Sequence, residues 1–221
     1  MVKRIIPLAV FLALTAGSAW AADHERLRYE ANWGGFHAAD LVLDQARDDA
    51  QLLTSLAMET RGLVRWLIHL RFDALGEGTV AEEGARSLAY KTEFANRKGS
   101  RRLELAFDPK TGRAELVKDL DLSSEPSEAE TDPETVEPVP MEARLGSLDP
   151  LTALIRLQEN TRLAAHGQGP KSFVIPVFDG RRRYDFASEV LGAKQISVEG
   201  KPYQTIEVRL SMTTLQGFRP K

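Results

Sequence analysis

Asp179, Arg181, Arg182, Arg183 and Asp185 are the densest group of side chains able to do chemistry, set in the run Val177-Phe178-Asp179-Gly180-Arg181-Arg182-Arg183-Tyr184-Asp185-Phe186. Guanidinium groups grip phosphate and carboxylate through paired N–H donors, so the cluster reads as an anion site. In a strand, Arg181 and Arg183 share one face and Arg182 takes the other. The competing reading is a turn followed by solvated edge arginines that discourage sheet aggregation. Arg97, Lys98, Arg101 and Arg102 form a second basic turn with the same two readings.

Groups that would support catalysis are scattered. The four histidines are His24, His37, His69 and His166, and none stands in a metal-type pair. His69 lies inside an apolar run and reads as a core or rim residue. No serine-hydrolase elbow, phosphate loop or dinucleotide fingerprint occurs. Glu82 and Glu83 are adjacent, and neighbours on a strand point to opposite faces, which suits an acid/base pair poorly. The chain has no cysteine, which excludes disulfides, thiol catalysis and thiolate zinc sites. No cofactor is expected.

Short alternating runs supply the elements that must position these residues. Leu27–Trp33 and Ala39–Leu43 flank Gly34-Gly35 and read as a hairpin. Gln51–Thr60 suits a strand or a short helix, with strand preferred. Leu63–Phe72 is either a strand leading into Gly76-Glu77-Gly78 or an amphipathic helical turn, with Trp66 and Ile68 filling core. Leu88–Phe94, Arg101–Phe107 and Arg113–Val117 continue as a meander, with turns at Asn96–Ser100 and Asp108–Gly112.

Residues 123–142 are acidic and proline-rich, and read as an exposed flexible loop rather than a calcium loop. Asp149-Pro150 then opens the one clear helix, at about 149–165, because Asp caps free N–H groups and Pro suits the first helical position. Its face of Leu151, Ala153, Leu154, Ile155 and Leu157 should lie against a sheet face or plug a barrel end, with Arg156, Gln158 and Glu159 outward. Ser172–Phe178 contains Pro176, which argues for an edge strand or a bulge. Asp179-Gly180 is a hairpin turn, because Gly accepts positive φ and Asp bonds its own backbone. Strands at Arg183–Val190, Gln195–Glu199 and Tyr203–Met212 follow, the last with Ile206, Val208, Leu210 and Met212 inward.

The N-terminus carries Lys3 and Arg4, an apolar run from Ile5 to Thr15, and Ala19-Trp20-Ala21. That pattern predicts a secretory signal peptide over 1–21, cleaved near Ala21, and a periplasmic protein. The apolar run is too short to span a bilayer, so no membrane-spanning segment is expected after cleavage. Cleavage removes two positive charges and takes the formal charge from −3 to about −5, which offers nothing to nucleic acid.

Four features together resemble the DUF3108 family of exported bacterial proteins. They are Tyr29-x-x-x-Trp33-Gly34-Gly35, Tyr90-x-x-Glu93 with Leu103-x-Leu105-x-Phe107-Asp108, Leu148-Asp149-Pro150-Leu151-Thr152-Ala153-Leu154, and Phe178-Asp179-Gly180-Arg181-Arg182-Arg183-Tyr184-Asp185. The resemblance covers most of the mature chain. It implies a mainly β protein whose long curved antiparallel sheet curls toward an open barrel, as in envelope lipoprotein carriers at the level of shape. Two departures stand out. A cysteine common in the family is absent around Tyr203–Ile206, and a further strand expected past Gly217-Phe218 is missing, which implies a shortened C-terminus or a sheet closed differently.

The combined expectation is a single β-rich domain over 22–221 that binds an apolar or lipid-like envelope component without catalysis. Trp33, Trp66, Tyr90 and Phe94 would line its cavity, and Arg181 and Arg183 would hold a head group. A scaffold that binds an envelope protein is the alternative, and an envelope glycan hydrolase is the third.

Overall fold

The computed structural model describes residues 23–48, 50–122 and 138–216. The expected leader, most of the acidic segment and Gly217–Lys221 lie outside the described residues.

The strands are β1 (Asp23–Trp33), β2 (Phe36–Arg47), β3 (Gln51–Thr60), β4 (Arg71–Ala81), β5 (Gly84–Asn96), β6 (Gly99–Phe107), β7 (Ala114–Asp121), β8 (Ser172–Phe178), β9 (Arg183–Val198) and β10 (Lys201–Gln216). Among the described residues two α-helices interrupt them, α1 (Gly62–Leu67) and α2 (Pro150–Ala165). The fold is mainly β and antiparallel, as expected. It is not one long sheet. A seven-stranded sheet runs β1 to β7 in chain order, a three-stranded sheet runs β10-β9-β8, and the sheet does not close into a barrel.

The division follows from α2, whose two sides are both apolar. Leu151 and Ile155 pack on the seven-stranded sheet, while Ala153 and Leu157 pack with Ile175, Val177 and Tyr184 of the three-stranded one. The helix is therefore a filling between two sheets. Its start is fixed as the sequence implies. The fully buried Asp149 carboxylate accepts from the N–H groups of Leu151 and Thr152 at 2.9 and 3.0 Å, and from Ser87 Oγ at 2.6 Å. Burial raises the Asp149 pKa against the pull of those hydrogen bonds.

Several expectations are corrected. The strand leading into Gly76-Glu77-Gly78 runs on through both glycines, which lie inside β4 under α2. A Cβ on Gly78 would stand 2.6 Å from the Arg86 carbonyl oxygen, and one on Gly76 would stand 3.1 Å from Leu151 Cβ. Leu63–Phe72 divides into α1 and the start of β4, and Trp66 and Ile68 are exposed rather than core, at 69% and 50%. No residue of this six-residue helix is buried, and among the described residues no second surface covers its apolar side. His69 is likewise exposed, with φ of 46°.

Arg156 and Glu159 turn back toward β5. Arg156 donates to the Ala85 carbonyl, and Glu159 accepts from the Ala85 N–H at 2.9 Å and from Arg47 at 3.0 Å. Glu82 and Glu83 occupy the β4–β5 turn rather than a strand. The predicted loop ends early, since Val139 is buried in the main core and a short 3-10 turn follows at Glu142–Arg144. The last three strand segments are two long strands, and Leu210 and Met212 are exposed at 45% and 54%.

Candidate functional site

Strand register assembles an extended apolar surface left partly uncovered. Tyr29 pairs with Leu41, Leu41 with Met58, Met58 with Phe72, and Phe72 with Phe94. Directly opposed residues share a face, so the five form one row across β1 to β5. The neighbouring row is Leu27, Leu43, Leu56, Ala74, Thr92 and Leu103. Both rows lie on the helix side, because Leu52 on the same face of β3 packs with Ile155. Leu43, Ala74 and Leu103 are buried, whereas Leu41, Met58, Phe72 and Phe94 are half-buried and Tyr29 is exposed.

The outer row ends in charge. Phe94 pairs with Arg101, and Arg101 with Asp121. Arg101 Nε donates to Asp119 at 2.8 Å. The β8–β9 turn comes down beside this corner, held by Asp179 Oδ1, which accepts from the N–H groups of Arg181 and Arg182 at 2.9 and 2.7 Å. Gly180 sits so close to Leu103 that an added Cβ would stand 2.5 Å from its Cδ1, and its φ of +98° suits glycine. Partial desolvation and the neighbouring charge of Arg101 hold the Arg181 guanidinium below the usual arginine range. Arg181 thus stands in the field of Arg101 and Asp119, where the apolar row ends.

The six residues singled out from sequence fall in different places. Phe94 is in the row, and Arg181 is at its charged end. Tyr90 is buried two positions away, pairing with Gly76 and Leu105 within the main core, and desolvation raises its pKa well above the ordinary value. Trp33 is 73% exposed at the β1–β2 turn, and Trp66 stands on α1, so both mark the end of the sheet beyond the row without joining it. Arg183 does not share a free face with Arg181. It donates from Nε to the Ala143 carbonyl at 3.1 Å and pairs with Asp185 at 2.7 Å, which makes it a clamp on the 3-10 turn. Leu41, Met58 and Phe72 were missed as site residues, whereas Arg101 belongs to the second basic turn that the sequence offers as an anion site. The signal was the register itself, since the strands that carry them follow one another in chain order as antiparallel neighbours.

Two further depressions carry less. A cleft of about 290 Å³ lies between α2, the β6–β7 turn and the β8 edge, lined by Arg86, Arg156, Lys110, Asp108, Ser147 and Val174 among others. Three of its charged groups are engaged: Arg86 with Glu83, Arg156 with the Ala85 carbonyl, and Asp108 with the Lys110 and Thr111 N–H groups at 2.9 and 2.7 Å. Those bonds from Thr111 and Lys110 lower the Asp108 pKa. A broader groove of about 550 Å³ on the outer face includes Lys91, Glu93, Arg102, Glu104 and Lys118. Its charges pair across strands, Arg102 with Glu93 at 3.3 Å and Lys118 with Glu104 at 3.6 Å.

His37 lies 2.6 Å from Asp40, which also accepts from Arg61 Nε at 2.7 Å. Arg61 first, and then His37, hold the Asp40 carboxyl below its ordinary range. Among the described residues no group of three or more His, Cys, Asp and Glu side chains is placed to hold a metal ion. No described helix is long and apolar enough to cross a membrane.

A family model described as a protein of unknown function, DUF3108, matches residues 28–219. No curated protein and no solved structure matches the chain.

Proposed function

We propose a binding function for this chain, which belongs to the DUF3108 family: it holds an amphipathic, lipid-like component of the bacterial envelope on the helix-facing side of its large sheet. The observation that carries this reading is the half-buried row Leu41, Met58, Phe72 and Phe94 ending at Arg101 and Arg181. The apolar part of the ligand lies along the row, and a single anionic head group meets Arg181. Burying such side chains gains about 25 cal/mol for each Å² of apolar surface removed from water, and a guanidinium at one end fixes the ligand's direction. The leader-like N-terminus supports export and a periplasmic place of work. Binding of this kind needs no bond made or broken.

The test begins with protein purified from the periplasmic extract of an exporting bacterium. Native mass spectrometry followed by organic extraction should release an acyl-chain compound in stoichiometric amount. Phe94→Asp should be recovered without it. A clean apo mass for the parent, combined with no saturable binding of added myristate, would remove this function.

A further inference from the structure

The β9–β10 hairpin outgrows its sheet. β8 pairs only with Arg183–Glu189 of β9, while β10 continues beside β9 to Val198. Beyond Val190 the hairpin is a two-stranded ribbon among the described residues, with Leu191, Ile196, Val198 and Tyr203 exposed. Two strands alone are marginal in water. The register slip at Glu207/Val208 adds Leu191 to β9, so β10 itself stays regular from Lys201 to Thr214. Its outer edge has no partner strand among the described residues, and a long regular edge carrying apolar side chains is a template for pairing.

The charges along β10 say which strand fits. Glu207 and Arg209 flank Val208 on one face, and Ile206, Val208 and Leu210 lie on the other. We propose that β10 pairs antiparallel with β10 of a second copy, about a two-fold axis through Val208, to join two three-stranded sheets into one of six. In that register Glu207 of each chain faces Arg209 of the other. Val208 faces Val208, and Ile206 faces Leu210.

The flanking β9 charges extend the match. Lys194 already pairs with Glu207, and Arg209 with Glu189 at 2.5 Å. Two ladders of alternating sign result, each running Lys194, Glu207, then Arg209 and Glu189 of the other copy. A symmetric interface must be complementary to itself, and this stretch is. The pairing also brings Leu210, exposed at 45%, against Ile206.

Sedimentation equilibrium of the purified protein should show a dimer in the micromolar range. Glu207→Arg sets Arg against Arg twice per dimer, and Arg209→Glu sets Glu against Glu twice. Each should raise the dimer dissociation constant on the order of a hundredfold. Both are exposed strand positions, where such changes leave folding intact. An equimolar mixture of the two variants should regain the dimer, because each repelling pair becomes attractive in the mixed species. A parent that stays monomeric throughout the range overturns the proposal, as do single variants that dimerise like the parent. A mixture that stays monomeric overturns the register.

Discussion

Beneath α2, strands β4 and β5 present Gly76, Gly78, Ala85 and Ser87 to the helix; beyond it, the same face of the sheet carries Leu41, Met58, Phe72 and Phe94. The two halves share strands, register and face, and differ in side-chain size. Small residues let a helix backbone settle against β4 and β5. Large ones keep a helix away and leave a surface that its neighbours only half cover. The contrast separates a part of the sheet that specifies the fold from a part left for something else. Close packing makes the first half intolerant of change, and looser packing makes the second forgiving.

The comparison breaks most visibly at Gly78. Gly78→Val forces a side chain into the Arg86 carbonyl, and we expect a loss of about 3 kcal/mol or more in urea unfolding. A loss under about 1 kcal/mol would show that β4 does not approach the Arg86 carbonyl of β5 as closely as described.

Leu105→Ala and Phe94→Ala compare the halves directly. Leu105 is 2% exposed in the main core, and its truncation should cost about 3 kcal/mol. Phe94 is half-buried, and its truncation should cost about 1 kcal/mol while weakening amphiphile binding at least about tenfold. Equal stability losses would erase the distinction.

Asp149→Ala removes the cap and strands the Ser87 hydroxyl, for about 2 kcal/mol. Asp149→Asn keeps a capping oxygen and should cost less. The pH dependence has a definite sign. Asp149 has a raised pKa when folded, so its protonation favours the folded state. The stability it contributes is complete below the unfolded value of 3.8 and is lost as pH rises through the folded value. Asp108, lowered by its turn, acts the other way and loses its contribution as pH falls below that range. Chemical denaturation from pH 4 upward should therefore fall more steeply for the parent than for Asp149→Asn.

The smallest stability effect belongs to Arg181→Ala, within about 0.5 kcal/mol by the same unfolding measurement. Its effect on binding should depend on the ligand's charge. Affinity for myristate should fall, and affinity for an uncharged amphiphile of equal chain length should hold. Arg183→Ala should reverse the pattern, costing about 1–2 kcal/mol in stability through its lost bonds to Ala143 and Asp185.

Much of this was legible before any coordinates. Asp149-Pro150 announces α2 because capping is a local transaction between a carboxylate and the next few N–H groups. Asp179-Gly180 announces its hairpin for the same reason, and most strands declare themselves by alternation. What stayed hidden depends on distant partners. Trp66 looks like core, yet among the described residues no element covers α1. Arg156 and Glu159 look solvated until β5 brings Ala85 beneath them. Gly76 and Gly78 look only like the place a strand leads to, although two glycines on one face of a strand are also what a helix needs for close approach. Arg181 and Arg183 look equivalent by spacing, and only the turn geometry divides them. The split into two sheets was beyond local pattern, because it rests on α2 being apolar on both sides.

The most direct test of the account is amide hydrogen exchange of the purified protein with and without myristate. Slowing should concentrate around Leu41, Met58, Phe72 and Phe94 and at the Arg181 turn, with little change at Gly76, Gly78 and Tyr90. Slowing confined to the cleft around Lys110 and Ser147, or no slowing at saturating myristate, would contradict the central claim that the uncovered half of the sheet is the binding surface.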